Sequence, residues 1–216
     1  MKVTDKIQIT NEDNMALMSR YEDNHFDLAI VDPPYGLKRS SDKKRDGKKI
    51  HRFKSHNGWT NSTKWDIKPT KEYWDELFRV SKNQIVWGAN NFVMPPSEYF
   101  CIWNKKQTVD NFATAEYAWV SMGLKKPAKM FDYGIHKHNH TKKIHPTEKP
   151  KQLYNFLLKH YAKEGDKILD THLGSGSIAL ACHERGFNLT ACELDKEYYD
   201  ASIKRINNHI SQQRLF

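Results

Sequence analysis

The stretch KILDTHLGSGS, residues 167–177, decides the fold of this chain. The apolar residues of KILD predict a short buried strand that ends at Asp170. Gly174 and Gly176 then let the backbone approach a ligand closely, and the residues after them predict a helix that ends near Glu184. Because a helix N-terminus offers free backbone N–H groups, this strand, turn and helix indicate a ligand site at the end of the strand.

A second acid lies one strand further along. LTACE, residues 189–193, predicts a strand that ends on Glu193, 23 residues after Asp170. An acid in this place can accept hydrogen bonds from ribose hydroxyls. The sequence has neither the three-glycine dinucleotide fingerprint nor a Gly-Lys-Ser/Thr phosphate loop, so a cofactor with a ribose and no pyrophosphate fits best, and S-adenosylmethionine is one. A tight turn would also explain the glycine pair, and a helix-capping role would also explain Asp170.

The rest of the chain alternates strands with helices. Short apolar runs predict the strands, and apolar positions three and four residues apart predict the helices. The predicted strands are 26–31, 84–88, 99–104, 115–121, 167–170 and 189–193, and the predicted helices are 70–81, 150–161, 177–184 and 195–209. This order predicts an α/β fold with a mostly parallel sheet and helices on both faces. Residues 122–145 show no clear period.

The strand at 26–31 runs into a proline turn, Asp32-Pro33-Pro34-Tyr35. Prolines fix φ and donate no hydrogen bond, so their carbonyl groups can point, rigid and unshared, toward a substrate. Two acceptors, Asp32 and the Pro33 carbonyl, can hold both hydrogens of an amino group on a flat heterocycle and turn its lone pair toward a methyl donor. Tyr35 adds a flat apolar face. A Pro-rich turn with an Asp cap is the alternative interpretation.

The charge of the chain is concentrated in two segments. The net charge is +9; residues 37–60 hold nine Lys or Arg and two Asp, and residues 124–145 hold six Lys and one Asp. Two basic segments on a near-neutral body suit a polyanion such as nucleic acid, although solvated surface loops would also explain them. Residues 37–64 are interpreted as a basic insertion loop, whose predicted nucleic-acid-binding residues are Lys38, Arg39, Lys43, Lys44, Arg45, Lys48, Lys49 and Arg52.

Composition argues against several classes of protein. The 216 residues fit a single domain, 1–216, that carries an insertion, and 12% aromatic residues argue against disorder. No apolar run approaches the roughly 20 residues of a membrane span, and the N-terminus has no apolar signal core. Three cysteines favour a reducing cytoplasm. His136, His138 and His140 have no nearby Cys or carboxylate to complete a zinc site, so no metal is predicted.

Three motifs in a fixed order carry a family resemblance. Asp32-Pro33-Pro34-Tyr35 comes first, the run HPTEKP at 145–150 follows, and the glycine loop from Asp170 to Gly176 comes last. The chain resembles the amino-methylating DNA methyltransferases, and its circularly permuted motif order is similar to that of their β class. The resemblance implies a Rossmann-like S-adenosylmethionine-dependent methyltransferase fold, with an antiparallel strand pair in a mostly parallel sheet. It does not cover the insertion, and it leaves 124–143 as a short target-recognition segment.

The resemblance implies a role for each matching residue. The catalytic residues, which would hold the target base, are Asp32, Pro33, Pro34 and Tyr35. The residues that would hold S-adenosylmethionine are Asp13, Asp32, Thr147, Lys149, Asp170, Gly174, Gly176 and Glu193. Among these, Thr147 and Lys149 would lie near the methionine carboxylate. Asp13 would lie near the cofactor adenine, although the family usually has Gly-Asp where this chain has Glu12-Asp13.

The function implied by the resemblance is site-specific methylation of adenine N6 in double-stranded DNA, with the base flipped out of the duplex. Asp32 favours adenine, since the cytosine-N4 enzymes of the family more often carry Ser there. Cytosine-N4 methylation of DNA, adenine-N6 methylation of RNA, methylation of a protein amide and a catalytically silent nucleic-acid-binding relative stay open as alternatives. The sequence alone does not decide whether the chain forms a homodimer or works beside a cognate restriction endonuclease in a restriction-modification pair.

Overall fold

A computed structural model describes residues 2–36, 66–110, 112–139 and 143–213. The insertion predicted at 37–64 lies outside the described residues, and so do its predicted nucleic-acid-binding residues Lys38, Arg39, Lys43, Lys44, Arg45, Lys48, Lys49 and Arg52. The segment predicted at 124–143 is described except for residues 140–142. Among the described residues, none of the helices combines the length and the apolar character needed to cross a membrane.

The described strands form one eight-stranded sheet. In chain order they are β1 (Ile7–Thr10), β2 (Leu28–Val31), β3 (Gln84–Trp87), β4 (Phe100–Asn104), β5 (Ala115–Val120), β6 (Lys129–Asp132), β7 (Lys167–Asp170) and β8 (Asn188–Cys192). Their order across the sheet is β1-β8-β7-β2-β3-β5-β4-β6. All neighbours pair in parallel except β5, which runs antiparallel to β3 and to β4. The predicted α/β class, with a mostly parallel sheet and an antiparallel pairing, is confirmed.

The described α-helices are α1 (Asn14–Met18), α2 (Lys71–Val80), α3 (Ile135–Asn139), α4 (Lys151–Tyr161), α5 (Ser177–Arg185) and α6 (Lys196–Gln213). Two short 3₁₀ helices, Ala89–Asn91 and Met122–Leu124, follow β3 and β5. Pro150 stands at the N-cap of α4 in an extended conformation, which its fixed φ supports. Thr70 is the N-cap of α2, but its side chain makes no capping hydrogen bond.

Alternating residues of the central strands pack onto two helical layers. Leu28 and Ile30 of β2 belong to the apolar cluster that α4, α5 and α6 cover. Ala29 and Val31 face the opposite cluster, which α1 and α2 cover. The sheet is therefore buried on both faces, which parallel strands require. Trp87, Trp103 and Trp119 lie buried in this core.

The centre of the sheet contains a reversal of strand order. β7 and β2 are neighbours, and the chain leaves β7 through α5 toward β8 on one side. It leaves β2 toward β3 on the other side, through α2. In open α/β sheets, ligands bind in the crevice beyond the carboxyl ends of the strands at such a reversal. The crevice between these two turns is therefore the expected site.

Several elements differ from the sequence-based expectation. β1 and α1 were not predicted, and β6 lies in the segment that shows no period. β1 and β6 are short edge strands, each with a partner on one side only, so their sequences lack a long apolar run. The buried face of α4 is Leu153, Tyr154, Leu157, Leu158 and Tyr161. The apolar spacing in the sequence predicts a different face, Leu153, Phe156, Leu157 and His160. The two faces differ because α4 packs on α5 as well as on the sheet.

For His136, His138 and His140 the sequence favours phosphate contact or solvent exposure over metal binding, and His138 differs from this expectation. Its ring is buried, and Nε2 lies 2.6 Å from the carbonyl oxygen of Glu148. Burial lowers the pKa of His138 to about 4, so the ring is neutral at pH 7. Its position ties α3 to the segment before α4.

Candidate active site

Two turns meet at the reversal of strand order. The catalytic turn, Asp32–Tyr35, follows β2, and the glycine turn, Asp170–Gly176, follows β7. β2 and β7 are paired in parallel, so both turns leave the same edge of the sheet. Two motifs that lie more than a hundred residues apart in the chain are thus brought side by side, as the permuted motif order requires.

Asp32 is the centre of the catalytic turn. The Tyr35 hydroxyl donates a hydrogen bond to Asp32 Oδ1 at 2.7 Å. The ammonium group of Lys149 forms an ion pair with the other oxygen, Oδ2. Asp32 keeps 16% of its side chain exposed, and Pro33 beside it is buried. The carboxylate is therefore held rigidly while it remains open to the crevice.

Tyr35 is fixed by close packing. A Cβ atom at Gly88 would lie 2.1 Å from Tyr35 Cε1, and Gly88 has a φ of +65°. Only glycine satisfies both conditions without strain. The Phe92 ring meets Tyr35 edge to face at 6.0 Å, so Phe92 lies beside the catalytic turn. Burial raises the pKa of Tyr35, so its hydroxyl keeps its proton and remains a donor.

Lys149 lies between two carboxylates. Its ammonium group pairs with Asp32 and lies 3.3 Å from Glu116 Oε2, and it stands 5.6 Å from the centre of the Trp87 ring. Only 4% of its side chain is exposed. Burial favours the neutral amine, but Asp32 and Glu116 raise the pKa of Lys149 well above its ordinary value. The lysine is therefore charged.

Glu116 of β5 extends this set of charges away from the crevice. Lys105 donates to Glu116 Oε1 at 2.6 Å. Burial opposes the charged form, yet Lys149 and Lys105 lower the pKa of Glu116 to about 2. The sequence interpretation missed Glu116. The available signal was an acid within AEYAWVS, a strand whose other residues are uncharged, because a buried charge requires a partner.

Asp170 and Glu193 form the acidic side of the crevice. Asp170 is 2% exposed, and its Oδ1 accepts a hydrogen bond from the His172 N–H at 2.9 Å. Burial raises the pKa of Asp170 to about 7. Glu193 accepts from the Gly174 N–H at 2.8 Å and from the Asp195 N–H at 3.0 Å, and burial raises its pKa as well.

Gly176 is required by the packing of α6. A Cβ atom there would lie 3.0 Å from Ile206 Cδ1 and 3.3 Å from Ser202 Cβ, and φ is +73°. The glycine turn can therefore lie close under α6 only because residue 176 has no side chain. Gly174 also has a positive φ, +53°. Both predicted glycines thus shape the turn that carries Asp170 toward Glu193.

The remaining predicted cofactor residues are arranged as follows. Asp13 caps α1, since its Oδ1 accepts from the Met15 N–H at 2.8 Å. Thr147 is exposed, and its Oγ1 lies 3.1 Å from His145 Nδ1. Lys149 points to Asp32 and Glu116 rather than to open solvent. The structure thus groups Asp32 with Lys149 and Asp170 with Glu193, and it gives Asp13 a structural role whatever it binds.

Tyr154 was also missed. It is a buried residue of α4. Its pKa is raised well above the ordinary value by burial and by the charge of Asp170. The misassigned face of α4 hid it from the sequence interpretation. Across the described residues there is no group of three or more His, Cys, Asp or Glu side chains arranged to hold a metal ion.

The charges of the site define which ligands it suits. Carboxylates only accept hydrogen bonds, so the acidic side favours a ligand with hydroxyl groups or a positive charge. The carboxylate of Asp32, beside the fixed Tyr35, suits a neutral amino group on a flat ring. A cofactor with a ribose and a cationic group, placed next to a heterocyclic amine, fits this arrangement.

Comparisons with known proteins agree with this chemistry. The family described as DNA methylase matches residues 65–204. The Type II methyltransferase M2.DpnII of Streptococcus pneumoniae is 24% identical over 93% of this chain and 90% of that protein. The Type II methyltransferase M.HpaI of Haemophilus parainfluenzae is 21% identical over 90% of this chain and 72% of that protein.

Solved structures show the same fold. The M1.HpyAVI-SAM complex has a TM-score of 0.59 at 18% identity and covers 92% of this chain and 99% of that one. The cytosine-N4-specific PvuII DNA methyltransferase has a TM-score of 0.60 at 13% identity and covers 97% and 94%. The family match spans well over half of the 216 residues. This chain therefore belongs to the DNA methylase family.

Proposed function

We propose that this DNA methylase transfers a methyl group from S-adenosylmethionine to the N6 amino group of adenine in double-stranded DNA. The observation that carries the proposal is the carboxylate of Asp32, fixed by Tyr35 and Lys149. The lone pair of an exocyclic amine is delocalised into its ring, so the amine reacts only when acceptors reorient it. A fixed carboxylate is a strong acceptor of this kind.

The acidic side of the crevice suits the cofactor. Glu193 accepts a backbone N–H on each oxygen, and because a carboxylate has about four acceptor positions, it can also accept from the ribose of the cofactor. Asp170 would face the positively charged methionine part, and Thr147 would donate to its carboxylate. When bound, S-adenosylmethionine supplies an electrophilic methyl group on a positively charged sulfur. The protein contributes binding and orientation.

The catalytic turn would hold the target base. Asp32 and the Pro33 carbonyl accept the two hydrogens of the amine, and the Tyr35 ring offers a stacking surface for a base flipped out of the duplex. Asp32 also offers an acceptor for the proton that the nitrogen loses after transfer. Pro33 and Pro34 keep the turn rigid, which matters because the rate depends on near-attack geometry.

Two basic segments would contact the DNA outside the crevice. The insertion at 37–64 follows the catalytic turn directly in the sequence and carries most of the excess positive charge. Its Lys and Arg residues would bind phosphates, which fixes the register of the protein but carries no sequence information. The segment 124–143 would then read the target sequence. Because M2.DpnII and M.HpaI are named Type II methyltransferases, we further propose that the chain works within a restriction-modification system.

One experiment tests the reaction and the target together. The purified chain is incubated with S-adenosylmethionine and unmethylated plasmid DNA, and the nucleosides are quantified by mass spectrometry. We expect N6-methyladenine, and methylation-sensitive sequencing should place it at one short recognition site. N4-methylcytosine would replace the adenine assignment, and methylation of an RNA substrate alone would overturn the DNA assignment. No methylated nucleoside in any arm would contradict methyl transfer to nucleic acid altogether.

A further inference from the structure

Both oxygens of Asp32 are engaged before any substrate binds. Tyr35 donates to Oδ1 at 2.7 Å, and Lys149 pairs with Oδ2. A target amine would use the remaining acceptor positions of the same carboxylate. A competing ammonium group on Asp32 weakens that acceptor, because a charged donor binds a carboxylate more strongly than a neutral amine does. Methyl transfer is therefore favoured if the Lys149 ammonium group can form an ion pair with another carboxylate.

Glu116 provides such a partner. Its Oε2 lies 3.3 Å from the Lys149 ammonium group, and it accepts no hydrogen bond from any other group in the part of the chain that the structure describes. Its other oxygen, Oε1, is held by Lys105 at 2.6 Å. A buried acceptor without a hydrogen bond is costly. Glu116 is thus a fixed, charged and incompletely used acceptor beside the ammonium group.

We propose that Glu116 is a positioning residue that receives the Lys149 ammonium group when a target amine binds to Asp32. The movement required is small, because the ammonium group already lies between the two carboxylates. No bond forms or breaks, and the charge of the site is unchanged. Lys105 keeps the receiving carboxylate in place. The inference rests on the proposed transfer to an amine, and it holds equally for adenine and cytosine.

A purely structural role is the competing explanation. In that case Glu116 only neutralises a buried lysine, and its loss lowers stability and cofactor affinity together with activity. The proposed role predicts a separation of these quantities. Loss of Glu116 leaves Lys149 on Asp32, so the chemical step slows while the binding of S-adenosylmethionine and DNA is retained.

The first test is the Glu116→Gln variant, which preserves size and removes the charge. We expect kcat to fall roughly 10- to 100-fold, the range given by one hydrogen bond to a charged group. KM for plasmid DNA and the affinity for S-adenosylmethionine should stay within a few-fold of wild type. Glu116→Asp should recover part of kcat, because it restores the charged acceptor. Glu164→Gln, the same change at an exposed turn, is the matched control.

A double-mutant cycle shows whether Glu116 acts through Lys149. In the Lys149→Met background, adding Glu116→Gln should change kcat little, since the group that Glu116 receives is already gone. Equal losses from Glu116→Gln in both backgrounds would overturn the proposal. So would a Glu116→Gln variant that keeps more than half of the wild-type kcat.

A crystal structure of the Asp32→Asn variant tests the movement without any activity. With the charge at residue 32 removed, Lys149 Nζ should lie within hydrogen-bond distance of Glu116 Oε2, closer than the present 3.3 Å. An ammonium group that turns elsewhere would contradict the proposal even if the enzyme is active. Conversely, a wild-type chain that methylates no amine would refute the proposed function, while this structure would still report on the partner of Lys149.

Discussion

The catalytic turn and the glycine turn face the same crevice, but their charges are balanced in different ways. At the catalytic turn, Asp32 has Lys149 as a counter-ion, and Glu116 behind it has Lys105. At the glycine turn, the described hydrogen bonds of Asp170 and Glu193 are with backbone N–H groups and include no ion pair. The acids on the catalytic side have ion-pair partners, whereas Asp170 and Glu193 form no ion pair with any described residue.

The difference indicates which ligand belongs to which side. A buried acid without a counter-ion has a raised pKa, as Asp170 does, and a bound cation would remove that penalty. S-adenosylmethionine carries a sulfonium and an ammonium group, so it suits the glycine turn. The target amine is neutral, and it suits the balanced side, where an acceptor is needed and an uncompensated charge is not.

The largest expected effect comes from Asp32→Asn. The amide is a weaker acceptor than the carboxylate, so methyl transfer should slow about 10²- to 10³-fold, the usual effect of removing one group that stabilises the transition state. The affinity for S-adenosylmethionine should stay within a few-fold. Transfer is measured with tritiated cofactor, and binding by calorimetry.

Asp27→Asn is the matched control for that change. Asp27 comes just before β2, at the end of the strand opposite to Asp32, and it also pairs with a lysine, Lys82, at 2.7 Å. Its variant should keep near wild-type activity. If Asp32→Asn retains more than about a tenth of the wild-type rate, where removing such a group should cost about 10²–10³, Asp32 does not orient the amine.

The two turns also differ in how far the sequence predicts them. Both lie at the ends of apolar strands and contain residues with special backbone properties, so the sequence locates Asp32, Asp170, Gly174 and Gly176 correctly at the crevice. Local patterns carry this information, because strand ends and turns depend on neighbouring residues.

The partners of the two turns could not be predicted in the same way. Glu116 and Lys149 lie 33 residues apart, and their ion pair depends on where β5 pairs in the sheet. A strand inserted antiparallel between β3 and β4 leaves no local signature. The edge strands β1 and β6 were not predicted for a related reason, since a strand that pairs on one side only requires little apolar sequence.

The second-largest effect is expected for cofactor binding at the glycine turn. Glu193→Ala removes a charged acceptor worth about 1.5–3 kcal/mol, so the affinity for S-adenosylmethionine should fall roughly 10- to 100-fold. With saturating cofactor, kcat should recover to within a few-fold, in contrast to Asp32→Asn. Calorimetry on Glu197→Ala, an exposed acid in the first turn of α6, provides the control. Unchanged affinity for the cofactor and for its demethylated product would remove Glu193 from the site.

The third prediction concerns the basic insertion that follows the catalytic turn in the sequence and its contacts with DNA phosphates. Replacing Lys43, Lys44 and Arg45 with Ala should flatten the dependence of log affinity on log salt by up to about 0.9 for each phosphate that these side chains neutralise. Fluorescence anisotropy between about 50 and 200 mM salt measures this slope. Specific and non-specific duplexes should weaken alike, and cofactor affinity should be unchanged. An unaltered slope would make residues 124–145 the main candidate for phosphate binding.

The smallest expected effect is a pH dependence that belongs to the glycine turn alone. Burial raises the pKa of Asp170 to about 7 in the free protein. A cofactor cation beside it would favour the ionised carboxylate and lower that pKa in the complex. Above pH 7 the acid is ionised in both states, so affinity should be constant. Below pH 7 the free protein must release a proton on binding, so affinity should fall by up to about tenfold per pH unit.

Calorimetry between pH 6 and 8 in two buffers of different ionisation enthalpy detects both the slope and the proton released. Asp170→Asn should bind more weakly and show a flatter profile. His145 does not contribute in this range, because burial lowers its pKa to about 4. A flat profile in the wild-type chain would mean that Asp170 gains no cation when the cofactor binds. The lack of an ion-pair partner at Asp170 would then be a feature of the fold with no bearing on the cofactor. The sulfonium would have to be placed nearer Asp32.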